Sequence, residues 1–203
     1  MSLSPERFLK VSARHVETKP IKGTMPRYQD KIKDQESAKT LLNSTKDRAE
    51  NLMIVDLLRN DLSRTCLPGT VKVPRLFALE SFSNVHHLVS TVTGTLSEKY
   101  SSLDVFQHCF PGGSITGAPK IAAMKIIESL EPQRRSVYCG SIFYCDIFDN
   151  FDSNITIRTF FADKNQLYCY AGGGIVYDSD CDKEYDETWA KVGKLMQILS
   201  LIN

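Results

Sequence analysis

Apolar positions along the chain repeat with two different spacings, and the first of these is helical. Apolar residues three and four positions apart predict a long helix over 35–58, with Asp34 as its N-cap. Similar spacing predicts helices over 117–130 and 182–201, and a shorter helix over 102–109.

The second spacing, alternating or continuous apolar runs, predicts strands. They cover 8–11, 16–18, 70–73, 76–82, 88–96, 136–145, 153–162 and 167–177. Polar tips separate the last three, which favours sequential antiparallel hairpins. Grouped strands with helices between them indicate an α+β fold of antiparallel sheets and packed helices rather than alternating βαβ units. We expect one domain over 1–203, because no clear linker interrupts it.

Composition narrows the class of protein. The chain has 203 residues, of which 42% are hydrophobic, and a net charge of +1. That charge gives no general attraction for nucleic acid or for an anionic membrane. No apolar run approaches the ~20 residues of a membrane span, and the first residues lack a signal-peptide pattern. Six scattered cysteines without a Cys-x-x-Cys motif fit reduced thiols in a cytoplasmic protein.

Lys22 is the first candidate for chemistry. It is the only ionisable residue between Pro20 and Arg27, in a segment whose prolines and glycine preclude a helix. An exposed turn lysine is one interpretation. A positioned amine nucleophile is the other, and it requires burial. Spacing alone does not decide between them.

Carboxylates supply a second candidate. Glu184, Glu187 and Lys191 share one face of the predicted last helix, as either a surface salt-bridge ladder or part of a Mg²⁺ site. Glu50 lies beside the apolar stripe of the long helix, where a carboxylate needs a partner or a metal. This position favours the metal interpretation.

Two glycine-rich segments and an arginine complete the candidates. The segment 111–117 enters a helix, where free N–H groups could bind an anion, and 171–174 lies in a predicted strand. Tight packing is the alternative for both. Arg158, in an apolar strand, needs a carboxylate partner, which a ligand could supply. Of the adjacent His86 and His87, only one can point inward.

Together these segments resemble the chorismate-utilising enzymes, which include anthranilate, aminodeoxychorismate, isochorismate and salicylate synthases. The matching stretches are Pro-Ile-Lys-Gly-Thr at 20–24, Arg-Ala-Glu-Asn-Leu-Met-Ile-Val-Asp at 48–56, His-Leu-Val-Ser at 87–90, Phe-Pro-Gly-Gly-Ser at 110–114, Gly-Ala-Pro-Lys at 117–120, Ile-Arg at 157–158, Ala-Gly-Gly-Gly-Ile-Val at 171–176 and Asp-Glu-Thr at 186–188. The resemblance implies an anthranilate synthase component I-like fold and a chorismate-binding domain. The lysine at 22, where anthranilate synthases usually have alanine, is similar to the aminodeoxychorismate synthases.

The resemblance also implies a reaction, the amination of chorismate at C4. Lys22 would attack C2 while Glu6 protonates the departing C4 hydroxyl, and ammonia would then add at C4 and expel the lysine. The ammonia would come from a glutamine amidotransferase subunit. Glu50 and Glu187 match Mg²⁺ ligands, and Glu184 matches a residue of the metal's water shell.

Further positions match substrate contacts. The implied pocket for the enolpyruvyl carboxylate comprises Arg158, Tyr138 and the amides of Gly172 and Gly174. Three more implied substrate contacts are His87, Ser114 and Lys191.

Two departures from the family pattern matter. Ser114 replaces a threonine of several relatives, which retains the hydroxyl. Catalytic subunits of the family are also about twice as long, so the chain is expected to be truncated at its N-terminus, with exposed apolar surface. Anthranilate synthesis, or a non-catalytic fragment that retains the site residues, remain the alternatives.

Overall fold

The computed structural model describes residues 1–177 and 179–200 and has two antiparallel sheets. The strands are β1 Arg7–Ser12, β2 His15–Thr18, β3 Ile21–Pro26, β4 Lys72–Ser81, β5 Val85–Thr95, β6 Phe143–Cys145, β7 Phe151–Asn154, β8 Phe160–Asp163 and β9 Gln166–Cys169. The main sheet has the order β3-β5-β2-β1-β7-β6, with β4 also paired to β5, and β8 pairs with β9 in the second sheet. The predicted α+β class with antiparallel sheets is confirmed.

Helices occupy segments between these strands and after the last of them. They are α1 Lys31–Asn43, α2 Thr45–Ser63, α3 Ser102–Cys109, α4 Lys120–Leu130 and α5 Cys181–Ser200. The prediction of α3 is confirmed to the residue, because Ser101 and Asp104 form a capping box at its start. The prediction of α5 extended to residue 201, which lies outside the described residues.

The predicted single long helix is wrong in two respects. It is broken at Ser44, which adopts an extended backbone and accepts a hydrogen bond from Asp47 N, so that it ends α1 and caps α2. The first helix also begins earlier, with Asp30 as its N-cap instead of Asp34. Asp34 instead pairs with Arg27 at 2.8 Å.

The predicted strands of the second half are too long. The segment 136–145 contributes only three residues to β6, and 153–162 is divided between β7 and β8. The division falls beside Arg158, whose φ of 48° is incompatible with an extended strand. The glycine-rich segment 171–174 lies after β9, outside any strand. The antiparallel pairing of both hairpins is as predicted.

The segment around Lys22 forms β3 with an irregularity in its pairing. Ile21 pairs with Val89 and Thr24 with His87, and the register shifts between them. Gly23 has a φ of 85° at this point, a conformation that glycine adopts without steric cost. Such bulges change the direction of neighbouring side chains, and here the affected neighbour is Lys22.

The hydrophobic core joins α2 and α3 to one face of the main sheet. Its fully buried members include Leu9, Val16, Ile54, Leu62 and Val92. The same packing holds α2, which carries Glu50, across β3 and β5. Among residues 1–177 and 179–200, no helix combines the length and apolar character of a membrane span.

Large apolar side chains are exposed elsewhere on the molecule. Helix α4 buries none of its residues, and Leu130 at its end is 76% exposed. The turn between β6 and β7 exposes Ile147 by 93% and Phe148 by 79%. The exposed apolar surface expected from the sequence is therefore present.

Candidate active site

The amine of Lys22 lies against the glycine-rich loop that precedes α4. Its Nζ donates a hydrogen bond to the Ser114 carbonyl at 3.4 Å. Glu6 is buried beside it, hydrogen bonded to the Ser114 side chain and attracted by the charge of Lys22. Burial outweighs these contacts and raises the pKa of Glu6, so this carboxyl retains its proton to a higher pH than an exposed one.

Close packing shapes the loop that carries Ser114. A β-carbon on Gly112 would come within 2.9 Å of Ile155 Cδ1, and one on Gly113 within 2.6 Å of Leu57 Cδ2. The tight-packing interpretation of this segment is therefore correct. Arg135 fixes the loop from outside through a hydrogen bond of 2.7 Å to a loop carbonyl.

Three glutamates line the second glycine-rich segment. A β-carbon on Gly174 would lie 3.8 Å from both Glu50 Oε2 and Lys22 Nζ. One on Gly173 would lie 3.0 Å from Glu184 Oε2 and 3.8 Å from Glu187 Oε1. The segment thus has the nucleophile candidate and all three carboxylates along its length.

Glu184 has one satisfied oxygen and one orphaned oxygen. Its Oε1 accepts a hydrogen bond of 2.7 Å from Ser179 Oγ and lies 3.8 Å from Lys46 Nζ. Its Oε2 is buried and has no hydrogen-bond partner among residues 1–177 and 179–200. A buried carboxylate oxygen is costly without a partner, and a cation with its water shell would satisfy it.

This orphaned oxygen fits the implied Mg²⁺ site, but the carboxylates are not gathered into one. Within the described part of the chain, no group of three or more His, Cys, Asp or Glu residues has an arrangement that could hold a metal ion. The assignment of Glu50, Glu184 and Glu187 to Mg²⁺ therefore stays a prediction.

A half-buried guanidinium lies at the other end of the site. Arg158 makes no ion pair with any carboxylate among the described residues, and burial lowers its pKa. It acts electrostatically on His87, whose Nδ1 is hydrogen bonded to Thr24 Oγ1 at 2.8 Å. Burial and, secondarily, Arg158 lower the pKa of His87, so this imidazole is neutral at pH 7. An anionic ligand would provide the partner that Arg158 lacks.

Aromatic residues border the same glycine segment. The Tyr138 hydroxyl lies 3.1 Å from the position of a β-carbon on Gly172. Its ring stacks on Tyr170 with centroids 5.8 Å apart, and burial raises its pKa. Tyr138 is therefore a neutral hydrogen-bonding group at this wall.

The structure thus brings most of the predicted site residues into a continuous neighbourhood. Contacts link Lys22, Glu6, Ser114, Glu50, Glu184, Glu187, Lys191, Tyr138, Gly172 and Gly174. His87 joins them through the Gly23 backbone, next to Lys22, and Arg158 joins through His87.

Three polar neighbours of the site were missed from the sequence. Thr24 orients His87, while Ser179 and Lys46 contact Glu184. Thr24 lies in the quoted 20–24 segment and could have been noticed there. No spacing rule indicates Lys46, because its contact depends on how α5 approaches α2. The contact of Ser179 is local, five residues before Glu184, and depends on the turn that enters α5.

Comparison with known proteins identifies relatives of this chain. The family model of chorismate binding enzymes matches residues 1–197. Aminodeoxychorismate synthase component 1 of Salmonella typhimurium is 55% identical over 98% of this chain, and that of Escherichia coli is 54% identical over 98%. Anthranilate synthase component 1 of Saccharolobus solfataricus is 48% identical over 95%.

Solved structures show the same fold. The anthranilate synthase component I of Streptococcus pneumoniae matches 94% of this chain with a TM-score of 0.85 and 38% identity, and the match covers 42% of that chain. A putative isochorismate synthase of Bacillus anthracis matches 98% of this chain with a TM-score of 0.87 and 29% identity, and the match covers 53% of that chain. The Salmonella and E. coli relatives are each covered over 44% of their length. The chain therefore spans about half the length of the relatives that it matches.

Proposed function

Because the chain belongs to the chorismate binding enzymes, we propose that it aminates chorismate at C4 to give 4-amino-4-deoxychorismate, a step towards para-aminobenzoate and folate. The relatives named aminodeoxychorismate synthase component 1 support this choice. "Component 1" implies a second component, which we propose is a glutamine amidotransferase that supplies ammonia. All six cysteines are free, which fits the cytoplasm as the place of this reaction.

Lys22 and Glu6 carry the proposed chemistry. The uncharged Lys22 amine forms a bond to C2 of the ring, the two conjugated double bonds shift towards C4, and the C4 hydroxyl leaves as water with the proton of Glu6. Ammonia then forms a bond to C4, both double bonds shift back, and the bond from C2 to Lys22 breaks to release the neutral amine. The new C4 ammonium group returns a proton to Glu6. A carboxyl whose pKa is raised by burial is suited to the first protonation.

The substrate is an organic dianion, and the site has a group for each charge. Arg158 and the neutral Tyr138 would bind the enolpyruvyl carboxylate together with the amides of Gly172 and Gly174. Mg²⁺ held by Glu50 and Glu187, with Glu184 in its water shell, would neutralise the ring carboxylate. The orphaned oxygen of Glu184 supports a cation on this side.

The observation that carries the proposal is the position of the Lys22 amine. It donates to the Ser114 carbonyl, lies 3.8 Å from the position of a β-carbon on Gly174, and attracts the buried carboxyl of Glu6. An ordinary turn lysine would extend into solvent. This amine instead points into the neighbourhood where the other candidate residues meet.

Product analysis tests the proposal. The 203-residue chain is incubated with chorismate, ammonium and Mg²⁺, and the products are separated by chromatography and identified by mass. We expect 4-amino-4-deoxychorismate from the wild type and a large loss of it in Lys22→Ala. When ammonia is omitted, a covalent chorismate-derived adduct on the Lys22 peptide should accumulate. An unmodified Lys22 peptide together with near-normal turnover by Lys22→Ala would contradict the mechanism.

Two other functions are distinguished by the same assay. Anthranilate as the product would favour ortho amination. The 48% identity to an anthranilate synthase component 1 is the reason to test for it. Binding of chorismate without turnover would favour a fragment that acts only with a further polypeptide. The exposed apolar residues of α4 and the β6–β7 turn are the observation behind this last alternative.

A further inference from the structure

Glu187 already has a cationic partner, which belongs to the chain itself. Lys191 lies one turn further along α5, and its Nζ is 2.7 Å from Glu187 Oε1. The same ammonium donates a hydrogen bond of 3.1 Å to the Gly172 carbonyl. It therefore bridges the helix to the glycine-rich segment at the position where a metal ion is proposed.

Glu184, on the same face of α5, has an oxygen that lacks such a partner. Among the described residues, Glu184 Oε2 is buried without a hydrogen-bond partner, and its other oxygen accepts from Ser179 Oγ at 2.7 Å, with the exposed ammonium of Lys46 3.8 Å away. A β-carbon on Gly173 would lie 3.0 Å from Glu184 Oε2 and 3.6 Å from Lys191 Nζ. An unsatisfied carboxylate oxygen and an occupied carboxylate thus face the same short stretch of backbone.

A divalent cation and an ammonium cannot both take the same carboxylate lone pairs. An ion that coordinates Oε1 of Glu187 must displace Lys191 from that oxygen, and an ion at the other oxygen is repelled by the nearby ammonium. We propose that Lys191 is an internal counter-cation that competes with a divalent cation for Glu187, and so weakens divalent-ion binding at this site. The proposal rests on the metal site of the proposed function.

Displacement would leave the ammonium within the site. The Gly172 carbonyl is a second acceptor for Lys191 and is independent of Glu187. The released charge would therefore stay beside Gly172, on the wall proposed to bind a carboxylate of the substrate. Metal binding would in this way expose a positive group to the incoming anion.

The test measures metal binding to the 203-residue chain without substrate. Mn²⁺, a paramagnetic substitute for Mg²⁺, is titrated and the free ion is measured by electron paramagnetic resonance. The pair is half-exposed, with side chains 32% and 51% accessible. Breaking such a pair is worth about 0.5–1 kcal/mol, so Lys191→Met should bind Mn²⁺ roughly two- to fivefold more tightly than the wild type.

Lys194 provides a matched control for the loss of one positive charge. It lies on the same helix, three residues further on, and is exposed. Lys194→Met should change Mn²⁺ affinity less than Lys191→Met does. In a Glu187→Gln background the competing contact is absent, so adding Lys191→Met should no longer tighten binding. Circular dichroism of each variant checks that the fold is retained.

The outcomes separate this proposal from the proposed function. If the wild type binds Mn²⁺ and Lys191→Met binds it no better than Lys194→Met, the counter-cation proposal is overturned while the metal site stands. Tightening that persists with Glu187→Gln would also overturn it, because a general field effect would then explain the result. If none of the proteins binds Mn²⁺, the metal assignment fails together with this proposal, whereas the roles of Lys22 and Glu6 are still decided by the product assay.

Discussion

Replacement of Lys120 by methionine should destabilise the fold more than any change to a surface ion pair. Lys120 Nζ lies 2.6 Å from Asp61 Oδ2 and 2.6 Å from the Cys109 carbonyl. Both side chains are nearly inaccessible, Lys120 being 14% and Asp61 4% exposed. The contact joins the start of α4 to α2 and closes the loop that carries Ser114.

The magnitude follows from this burial. Methionine fills a similar volume but leaves the Asp61 carboxylate buried without a counter-charge, and the Cys109 carbonyl loses a donor. Removing one partner of such a pair costs about 3–5 kcal/mol. For a urea m-value of roughly 2 kcal/mol per molar, the midpoint of unfolding should fall by about 1.5–2.5 M.

Urea titration followed by circular dichroism is the assay, and two further variants make the result interpretable. The exposed pair of Arg59 and Asp56 has side chains 53% and 59% accessible, so Arg59→Met should cost no more than about 1 kcal/mol. The double variant Lys120→Met with Asp61→Asn removes the uncompensated charge and should be more stable than Lys120→Met alone. A loss for Lys120→Met as small as that for Arg59→Met would refute the argument from burial.

Three further changes have expected outcomes. Burial raises the pKa of Glu6 above its ordinary 4.5, so wild-type stability falls as the pH rises from that value through the folded-state pKa. Glu6→Gln should therefore gain stability relative to wild type in urea titrations as the pH rises above 4.5. Arg27 lowers the pKa of Asp34 to about 2, so this carboxylate stabilises the fold above an ordinary 3.8 and less as pH falls towards 2. Asp34→Asn should flatten that acid limb, and an unchanged acid midpoint would contradict the assignment. Gly23→Ala would force a side chain into a φ of 85° with its β-carbon 2.8 Å from Leu41 Cδ1, and a thermal melt should show a loss of about 1–3 kcal/mol.

Local sequence patterns predicted some helix and strand boundaries correctly and missed others. The predicted helix over 102–109 matches α3, and Ser101 with Asp104 forms a capping box at its start. The break at Ser44 was missed because the apolar stripe continues through it, although the serine hydroxyl caps the second helix there. The split between β7 and β8 depends on the conformation of Arg158, and periodicity does not register a single residue with positive φ.

The candidate site was also predicted only in part from the residues themselves. Spacing placed Glu184, Glu187 and Lys191 on one face of a helix, and the contact of Lys191 with both Glu187 and Gly172 agrees with that. The grouping of these residues with Lys22 and Glu50 came from the resemblance, since distant segments meet only through the fold. Two individual contacts could not be predicted. That of Lys22 with Ser114 depends on the bulge in β3, and that of Lys46 with Glu184 depends on how α5 approaches α2.

The pairing of β1 with β7 has a consequence for synthesis on the ribosome. Leu9 N donates a hydrogen bond to the side chain of Ser153, which follows it by 144 residues. At translation rates of about 5–20 residues per second, roughly 7–30 s pass before the second partner strand of β1 exists. During that interval β2 can cover one side of β1, while the other side offers unpaired N–H and C=O groups to any extended chain nearby. The nascent chain should therefore depend on chaperones until β7 has emerged.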